Sequence, residues 1–286
     1  MKTAFVGLGV MGFPMAGHLA KAGHAVSVFN RGPAKAARWT EAHGGRAGAT
    51  VGEACDGAEL VALCVGNDDD VRQVVPQALA TMAEGGIIVD HTTTSAKVAR
   101  EMAAQARETG RWFVDAPVSG GQAGAENGQL TIMAGGDEQA YARAEPVISV
   151  YAKAVRRMGE VGTGQLTKMC NQIAIAGAVQ GVAEALHFAK RAGLDTDGVL
   201  AAISKGSAQS WQMENRWATM SEGRFDFGFA VDWMRKDLGI ALDEARANGA
   251  QLAATALIDQ FYAEVQAMGG RRWDTSSLVA RLERPK

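Results

Sequence analysis

Apolar positions in the first half of the chain fall into two alternating patterns. Short apolar runs read as strands: "TAFVG" (3–7), "AVSVFN" (25–30), "ELVALCV" (59–65), "GIIVDHT" (86–92), "RWFVDAPV" (111–118) and "QLTIMAG" (129–135). Between them lie stretches with helical apolar spacing, among them 10–22, 94–109 and 137–150, the first closed by Gly23 as a C-cap. Apolar strands alternating with helices predict a mainly parallel sheet covered on both faces. From about residue 163 the strand signals stop. Helical spacing then runs over 164–192, 196–204, 231–249, 252–268 and a short segment near 276–283. No repeat, low-complexity tract or flexible linker separates the halves. The predicted architecture is α/β, with an N-terminal domain over 1–162 and an all-helical domain over 163–286, joined by one long helix.

Composition narrows the function classes. The 286 residues are 47% hydrophobic, enough for a full core. A formal net charge of -2, with Lys and Arg scattered, argues against a nucleic-acid partner. The pairs Arg156–Arg157 and Arg271–Arg272 read as solvated surface. Three cysteines, Cys55, Cys64 and Cys170, without a CxxC, fit a reducing compartment better than a disulfide framework. No run approaches about 18 uninterrupted apolar residues, and no secretory leader pattern precedes the first strand. The expectation is a cytoplasmic protein with no membrane partner.

The first strand ends in "FVGLGVMGFPMAGHL", which contains Gly7-x-Gly9-x-x-Gly12. GxGxxG alone is a weak signal. At the end of a strand and the start of a helix it predicts a dinucleotide-binding Rossmann turn. The glycines allow a tight turn and close approach of backbone to pyrophosphate, and the helix N-terminus supplies N–H groups. The second strand ends at Asn30-Arg31, where a pocket for a free 2′-hydroxyl usually has Asp or Glu. A neutral Asn does not repel a 2′-phosphate, and Arg can grip it with a fork of donors. This favours NADP, with NAD also usable. The bland reading of Arg31 is an exposed loop residue.

Two further stretches carry chemistry. In "DAPVSGG" (115–121) Pro117 stiffens a turn, Ser119 offers a hydroxyl, and Gly120-Gly121 leave backbone N–H groups accessible. That suits a carboxylate, or is a plain turn. "GTGQLTKMCNQ" (162–172) opens the long helix, and no charged residue lies between Lys168 and Glu184. An ammonium there is either a lysine snorkelling from a helix end or one put to use.

With these stretches the chain resembles the β-hydroxyacid dehydrogenase family. "GLGVMGFPMAGHL", "DAPVSGG", "GTGQLTKMCNQ" and "MRKDLGIAL" fall in the family's order and spacing and span essentially the whole chain. The family includes 3-hydroxyisobutyrate dehydrogenases, tartronate semialdehyde reductases and glyoxylate/succinic semialdehyde reductases. The resemblance implies a Rossmann domain, a helical C-terminal domain, and NAD(P)-linked interconversion of small 3-hydroxy acids and their semialdehydes. It makes Lys168 the acid/base and Ser119, Gly120 and Gly121 the carboxylate-binding turn. Thr93 would lie beside the nicotinamide, Lys236 would reach the cofactor, and Asp237 would lie near the substrate. Asn171 and Gln172, at i+3 and i+4 from Lys168, would hold its ammonium or the substrate. The candidate cofactor contacts are Gly7, Leu8, Gly9, Val10, Met11, Gly12, Asn30, Arg31, Val65, Thr93 and Lys236. Two departures touch substrate geometry: Gln172 stands where many members have Asn, and Thr92 replaces a commoner serine.

Other candidates are weaker. The five histidines, at 18, 24, 43, 91 and 187, show no metal spacing. His91 reads as a polar residue at a strand end. Cys170 has no histidine partner for nucleophilic catalysis. Trp211, Trp217, Phe225, Phe227, Phe229 and Trp233 read mostly as core, with Phe229 and Trp211 as candidates for a substrate pocket. The competing functions are imine reduction on the same scaffold, against which Lys168 counts, and a catalytically silent NADP-binding module. Decarboxylation of a sugar phosphate would need a longer helical domain. The uncharged stretch of the long helix suggests a homo-oligomer, dimer or tetramer.

Overall fold

Nine strands form a single sheet in the computed structural model, which describes residues 1–283. They are β1 (Lys2–Val6), β2 (Ala25–Phe29), β3 (Arg46–Ala47), β4 (Leu60–Leu63), β5 (Ile87–Asp90), β6 (Trp112–Asp115), β7 (Val118–Ser119), β8 (Leu130–Gly135) and β9 (Ala152–Gly159). The order is β3-β2-β1-β4-β5-β6-β8-β7, with β9 also paired to β8. The pairs from β3 through β6 are parallel, which is the doubly wound arrangement. β8 runs antiparallel to β6 and β7.

The apolar runs become strands buried on both faces. Successive residues point to opposite sides, so Phe5, Leu60, Ala62, Ile87 and Val89 join one core, while Ala4, Val6, Val61, Leu63 and Ile88 join the other. Helices α1 (Gly12–Lys21), α2 (Pro33–His43), α3 (Val51–Cys55), α4 (Asp68–Leu79), α5 (Ala96–Glu108), α6 (Gly121–Glu126) and α7 (Glu138–Ile148) connect them.

The helical part comprises α8 (Thr163–Arg191), α9 (Thr196–Ile203), α10 (Trp211–Ser221), α11 (Val231–Asn248), α12 (Ala253–Ala267) and α13 (Leu278–Leu282). The chain divides into two compact units, Met1–Lys168 and the part from Met169 onward, so the boundary falls within α8. The helical unit has its own core, including Val179, Val182, Leu186, Trp217, Tyr262 and Leu278. The aromatic set expected to be mostly core is divided. Trp217 and Phe225 are buried, whereas Trp211, Phe229 and Trp233 are exposed.

Several elements differ from the sequence expectation, among them the short, exposed β3, which no apolar run predicts. The run at 111–118 breaks into β6 and β7, because Ala116-Pro117 interrupts the pairing. β9 was not expected. It has no buried position, and its Arg157 is half-buried with Nε donating to the Gly136 carbonyl at 2.9 Å. α10 was also not expected. It is capped by the Ser210 hydroxyl, which accepts from the Met213 N–H.

Candidate functional site

The sheet order reverses direction at β1, which lies between β2 and β4. The crevice at the carboxyl ends of such strands is where ligands bind in open α/β sheets. The glycine loop occupies it. Gly7 has φ +96°, and a Cβ there would lie 2.2 Å from the Cys64 carbonyl oxygen. A Cβ on Gly12 would lie 1.9 Å from the Gly7 carbonyl oxygen. These two glycines let β1, the β4 loop and α1 close together. Gly9 is different: a Cβ there would meet nothing within 4 Å. Its lack of a side chain leaves open space beside the N-terminus of α1, where no side chain caps the helix and no acid occupies the first turn. That cradle fits a dinucleotide pyrophosphate.

The neighbouring residues divide their work. The Leu8 side chain is buried in the sheet core, and Val10 is exposed. The Leu8 N–H donates to Asn30 Oδ1 at 2.9 Å, and Asn30 Nδ2 donates to the Gly32 carbonyl at 3.0 Å. Asn30 therefore ties the glycine loop to the end of β2. Arg31 is largely exposed and pairs with Asp70 in the first turn of α4, Nη1 to Oδ1 at 3.1 Å.

The start of α8 is built around two buried polar residues. Asp115, at the end of β6, accepts from Gly162 N–H at 2.7 Å and Gln165 N–H at 2.9 Å. Its carboxylate thus caps first-turn donors that α8 cannot satisfy itself. Burial pushes the Asp115 carboxyl up to about 6, against the opposing pull of those amides. The fully buried Gln165 side chain donates to the Thr92 carbonyl at 2.7 Å and accepts from the Thr94 N–H at 3.0 Å. These two bonds flank the half-buried Thr93. The Thr92 hydroxyl accepts from the Val65 N–H at 3.0 Å, joining the loops after β4 and β5. Lys168, one turn beyond Gln165, is 7% exposed.

His91, directly after the end of β5, is buried. Its Nδ1 donates to the Ala116 carbonyl at 2.7 Å, so its Nε2 accepts from the Tyr151 hydroxyl at 2.8 Å. Burial lowers its pKa to about 4, keeping the ring neutral. Ser119 ends β7 half-buried. Gly120 (φ +129°) and Gly121 (φ +60°) then turn the chain through conformations that side chains disfavour, into α6.

Within the helical unit, Asn171 Nδ2 donates to Gln172 Oε1 at 2.8 Å, and Gln172 Nε2 donates to Asp237 Oδ2 at 2.7 Å. Lys236 Nζ lies 3.1 Å from Asp237 Oδ1. The extra methylene of Gln172 is thus used to reach a buried carboxylate. Phe229 sits on a segment held by Asp274, which accepts from the Phe229 N–H at 2.9 Å and pairs with Arg216 Nε at 3.1 Å. Among the described residues, no cluster of three His, Cys, Asp or Glu side chains could hold a metal ion, and no helix is long and apolar enough to cross a membrane.

Residues 2–160 match the profile of the NAD binding domain of 6-phosphogluconate dehydrogenase. Residues 162–282 match that of the NAD-binding domain of NADP-dependent 3-hydroxyisobutyrate dehydrogenase. The chain belongs to the 3-hydroxyisobutyrate dehydrogenase family. It is an NAD(P)-dependent hydroxyacid dehydrogenase. A 2-hydroxy-3-oxopropionate reductase of Escherichia coli is 35% identical, over 99% of this chain and 97% of its own. An oxidoreductase of Shewanella frigidimarina is 62% identical over 100% of this chain and 99% of its own. The structure of Mycobacterium tuberculosis 3-hydroxyisobutyrate dehydrogenase with L-serine has a TM-score of 0.91 at 32% identity, covering 99% of both chains. An imine reductase from Myxococcus stipitatus, 16% identical with a TM-score of 0.66, shares the fold alone.

Three residues of this dehydrogenase were missed from sequence. Asp115 and Gln165 stand inside "DAPVSGG" and "GTGQLTKMCNQ", where the sequence pattern points to Ser119, Gly120, Gly121, Lys168, Asn171 and Gln172 instead. Asp70 lies in "NDDDVRQ", where a run of acids at a helix start reads as ordinary capping.

Proposed function

We propose that this dehydrogenase interconverts a small 3-hydroxy acid and its semialdehyde, or reduces a small aldehyde acid, with NADPH preferred over NADH. Lys168 is the acid/base. Its burial at the head of α8, behind a first turn fixed by Asp115 and Gln165, is the observation that carries the reading.

The Gly7–Gly12 loop would hold the pyrophosphate, with Val65, Thr93 and Lys236 as the further residues that would hold the cofactor. When bound, NADPH supplies a hydride to the carbonyl carbon. Lys168 donates a proton to the developing alkoxide and stabilises its charge. In the oxidative direction the neutral amine takes the hydroxyl proton. Ser119 with the Gly120 and Gly121 amides anchors the substrate carboxylate. Asn171, Gln172, Asp237 and Phe229 shape the remainder of the substrate site. Relatives that act as a 2-hydroxy-3-oxopropionate reductase and a 2-(hydroxymethyl)glutarate dehydrogenase support a substrate bearing a carboxylate.

The NADPH preference rests on Asn30 and Arg31. Cys55, Cys64 and Cys170, none of them in a disulfide, support a reducing, cytoplasmic setting, and exposed Phe188, Leu194 and Leu257 support a homo-oligomer. The test is cofactor oxidation with NADPH and NADH against glyoxylate, succinic semialdehyde, tartronate semialdehyde, methylmalonate semialdehyde and a cyclic imine. Turnover of the carboxylate aldehydes is expected. Turnover of the imine alone would overturn the reading.

A further inference from the structure

We infer that Asp70 is a cofactor-selectivity residue, whose carboxylate occupies the Arg31 fork that a 2′-phosphate would take and so tempers the preference for 2′-phosphorylated nucleotides. The inference rests on the reading of Arg31 as the 2′-phosphate ligand.

The Arg31 guanidinium meets Asp70 end-on. Nη1 lies 3.1 Å from Oδ1, and Nη2 donates to Oδ2 at 3.4 Å. Both terminal nitrogens therefore face one carboxylate. That paired edge is the one that recognises phosphate oxygens in a fork.

The two partners are not equally held. The Asp70 side chain is 17% exposed and that of Arg31 is 78% exposed. Asp70 Oδ2 accepts from the Gly66 N–H at 3.0 Å, while the Asp70 N–H donates to Asn67 Oδ1 at 2.9 Å. Asp70 also sits in the first turn of α4, where the helix dipole favours an anion. The carboxylate is thus a fixed post, and Arg31 is the movable arm. Its two acidic neighbours are engaged elsewhere: Asp68 accepts from Ser95, and Asp69 pairs with Arg72.

A solvent-exposed ion pair is weak. A 2′-phosphate can therefore draw Arg31 away, but against a competing carboxylate that also repels it. A ligand without that phosphate leaves the pair intact and loses nothing. Asp70 should therefore narrow the gap between the two cofactors without abolishing it.

The test is calorimetric binding of 2′,5′-ADP and of 5′-AMP to wild type, Asp70→Asn, Arg31→Ala and the double variant, together with the NADPH/NADH ratio of kcat/KM. Asn keeps an oxygen for the Gly66 N–H, and Asp70→Ser provides a second, smaller replacement. Asp70→Asn should tighten 2′,5′-ADP by about three- to tenfold, the range open to a surface charge pair plus relief of repulsion. Binding of 5′-AMP should stay within about twofold, and in the Arg31→Ala background the gain should shrink to the smaller part that relief of repulsion alone supplies. No gain with Asp70→Asn, while Arg31→Ala weakens 2′,5′-ADP, overturns the role of Asp70 and leaves the Arg31 reading standing. The same gain with and without Arg31 overturns the fork argument. Unchanged 2′,5′-ADP binding in Arg31→Ala removes the reading of Arg31 itself, and the inference with it.

Discussion

The Gln165 carboxamide holds the Thr92 carbonyl at 2.7 Å and, through its oxygen, the N–H two residues further on at 3.0 Å. It copies the pairing of a backbone strand and fixes Thr93 from both sides. The same residue lies one helical turn before Lys168. The loop proposed to border the nicotinamide and the proposed acid/base are thus set in one frame by one side chain.

Gln165→Met keeps the volume and removes both hydrogen bonds. Two buried backbone groups lose partners, at a cost of about 1–3 kcal/mol each. The expected result is a lower melting temperature and a kcat about ten- to a hundredfold lower, the scale of a small misplacement of reacting groups. The Kd for NADPH, set mainly by the glycine loop, should change little. A variant that loses stability but keeps wild-type kcat would show that Gln165 only braces the fold.

The difference between what was legible and what was not follows from distance along the chain. The parallel strands β1, β2, β4, β5 and β6 are readable because each is largely buried, leaving a continuous apolar run bounded by glycine or polar residues, whereas the short β3 is exposed and carries no such run. The glycine loop was readable because its chemistry is local to Gly7–Gly12. β9 hid because none of its eight residues is buried, so "AKAVRRMG" carries no apolar run. α10 carries a local signal, Ser210 as cap and Met213, Trp217 and Met220 at helical spacing, but its aromatic residues fit a core segment of any secondary structure equally well. Asp115 and Gln165 hid for another reason. Their partners lie 47 to 73 positions away, and only the folded sheet brings the ends of β5 and β6 to the start of α8. Arg31 and Asp70, 39 positions apart, meet for the same reason.

The neutral, buried His91 makes stability depend on pH. Its folded pKa is about 4, against an ordinary value of 6.5. Its contribution is therefore full above about 6.5 and is lost as pH falls toward 4. Between about pH 7.5 and about pH 5 the loss should be about 2 kcal/mol. Asp115, raised to about 6, acts in the opposite sense, its contribution being lost as pH rises through that value. Comparing wild type with His91→Gln by urea unfolding at both pH values isolates the histidine. The variant should be less acid-sensitive by about that amount. Identical pH dependence in both proteins would mean that His91 is solvated and titrates freely.

Ser119 separates anchoring from turn shape. Ser119→Ala removes one hydroxyl from the proposed carboxylate turn and leaves the two glycines in place. The expected loss in kcat/KM is about ten- to a hundredfold for semialdehydes bearing a carboxylate, the scale of one hydrogen bond to a charged group. Neutral aldehydes of similar size should be nearly unaffected. Equal losses for both substrate sets would assign Ser119 to the β7–β8 pairing alone.

Lys168 carries the proposed chemistry, and arginine tests it most sharply, because its guanidinium stays protonated at any working pH. Lys168→Ala and Lys168→Arg should both fold and bind NADPH, yet lose at least about 100-fold in kcat, the low end for a positioned acid/base. The two variants should differ by direction. Arginine keeps a positive charge beside the developing alkoxide, so some carbonyl reduction should survive. Alcohol oxidation needs a group that accepts a proton, and there arginine should fare no better than alanine. The measurement is kcat for both variants in both directions, with cofactor binding followed by fluorescence. Near-wild-type oxidation by Lys168→Arg would remove the lysine from the base role. Its burial would then reflect packing of the alkyl stem at the head of α8, with the ammonium reaching out to water.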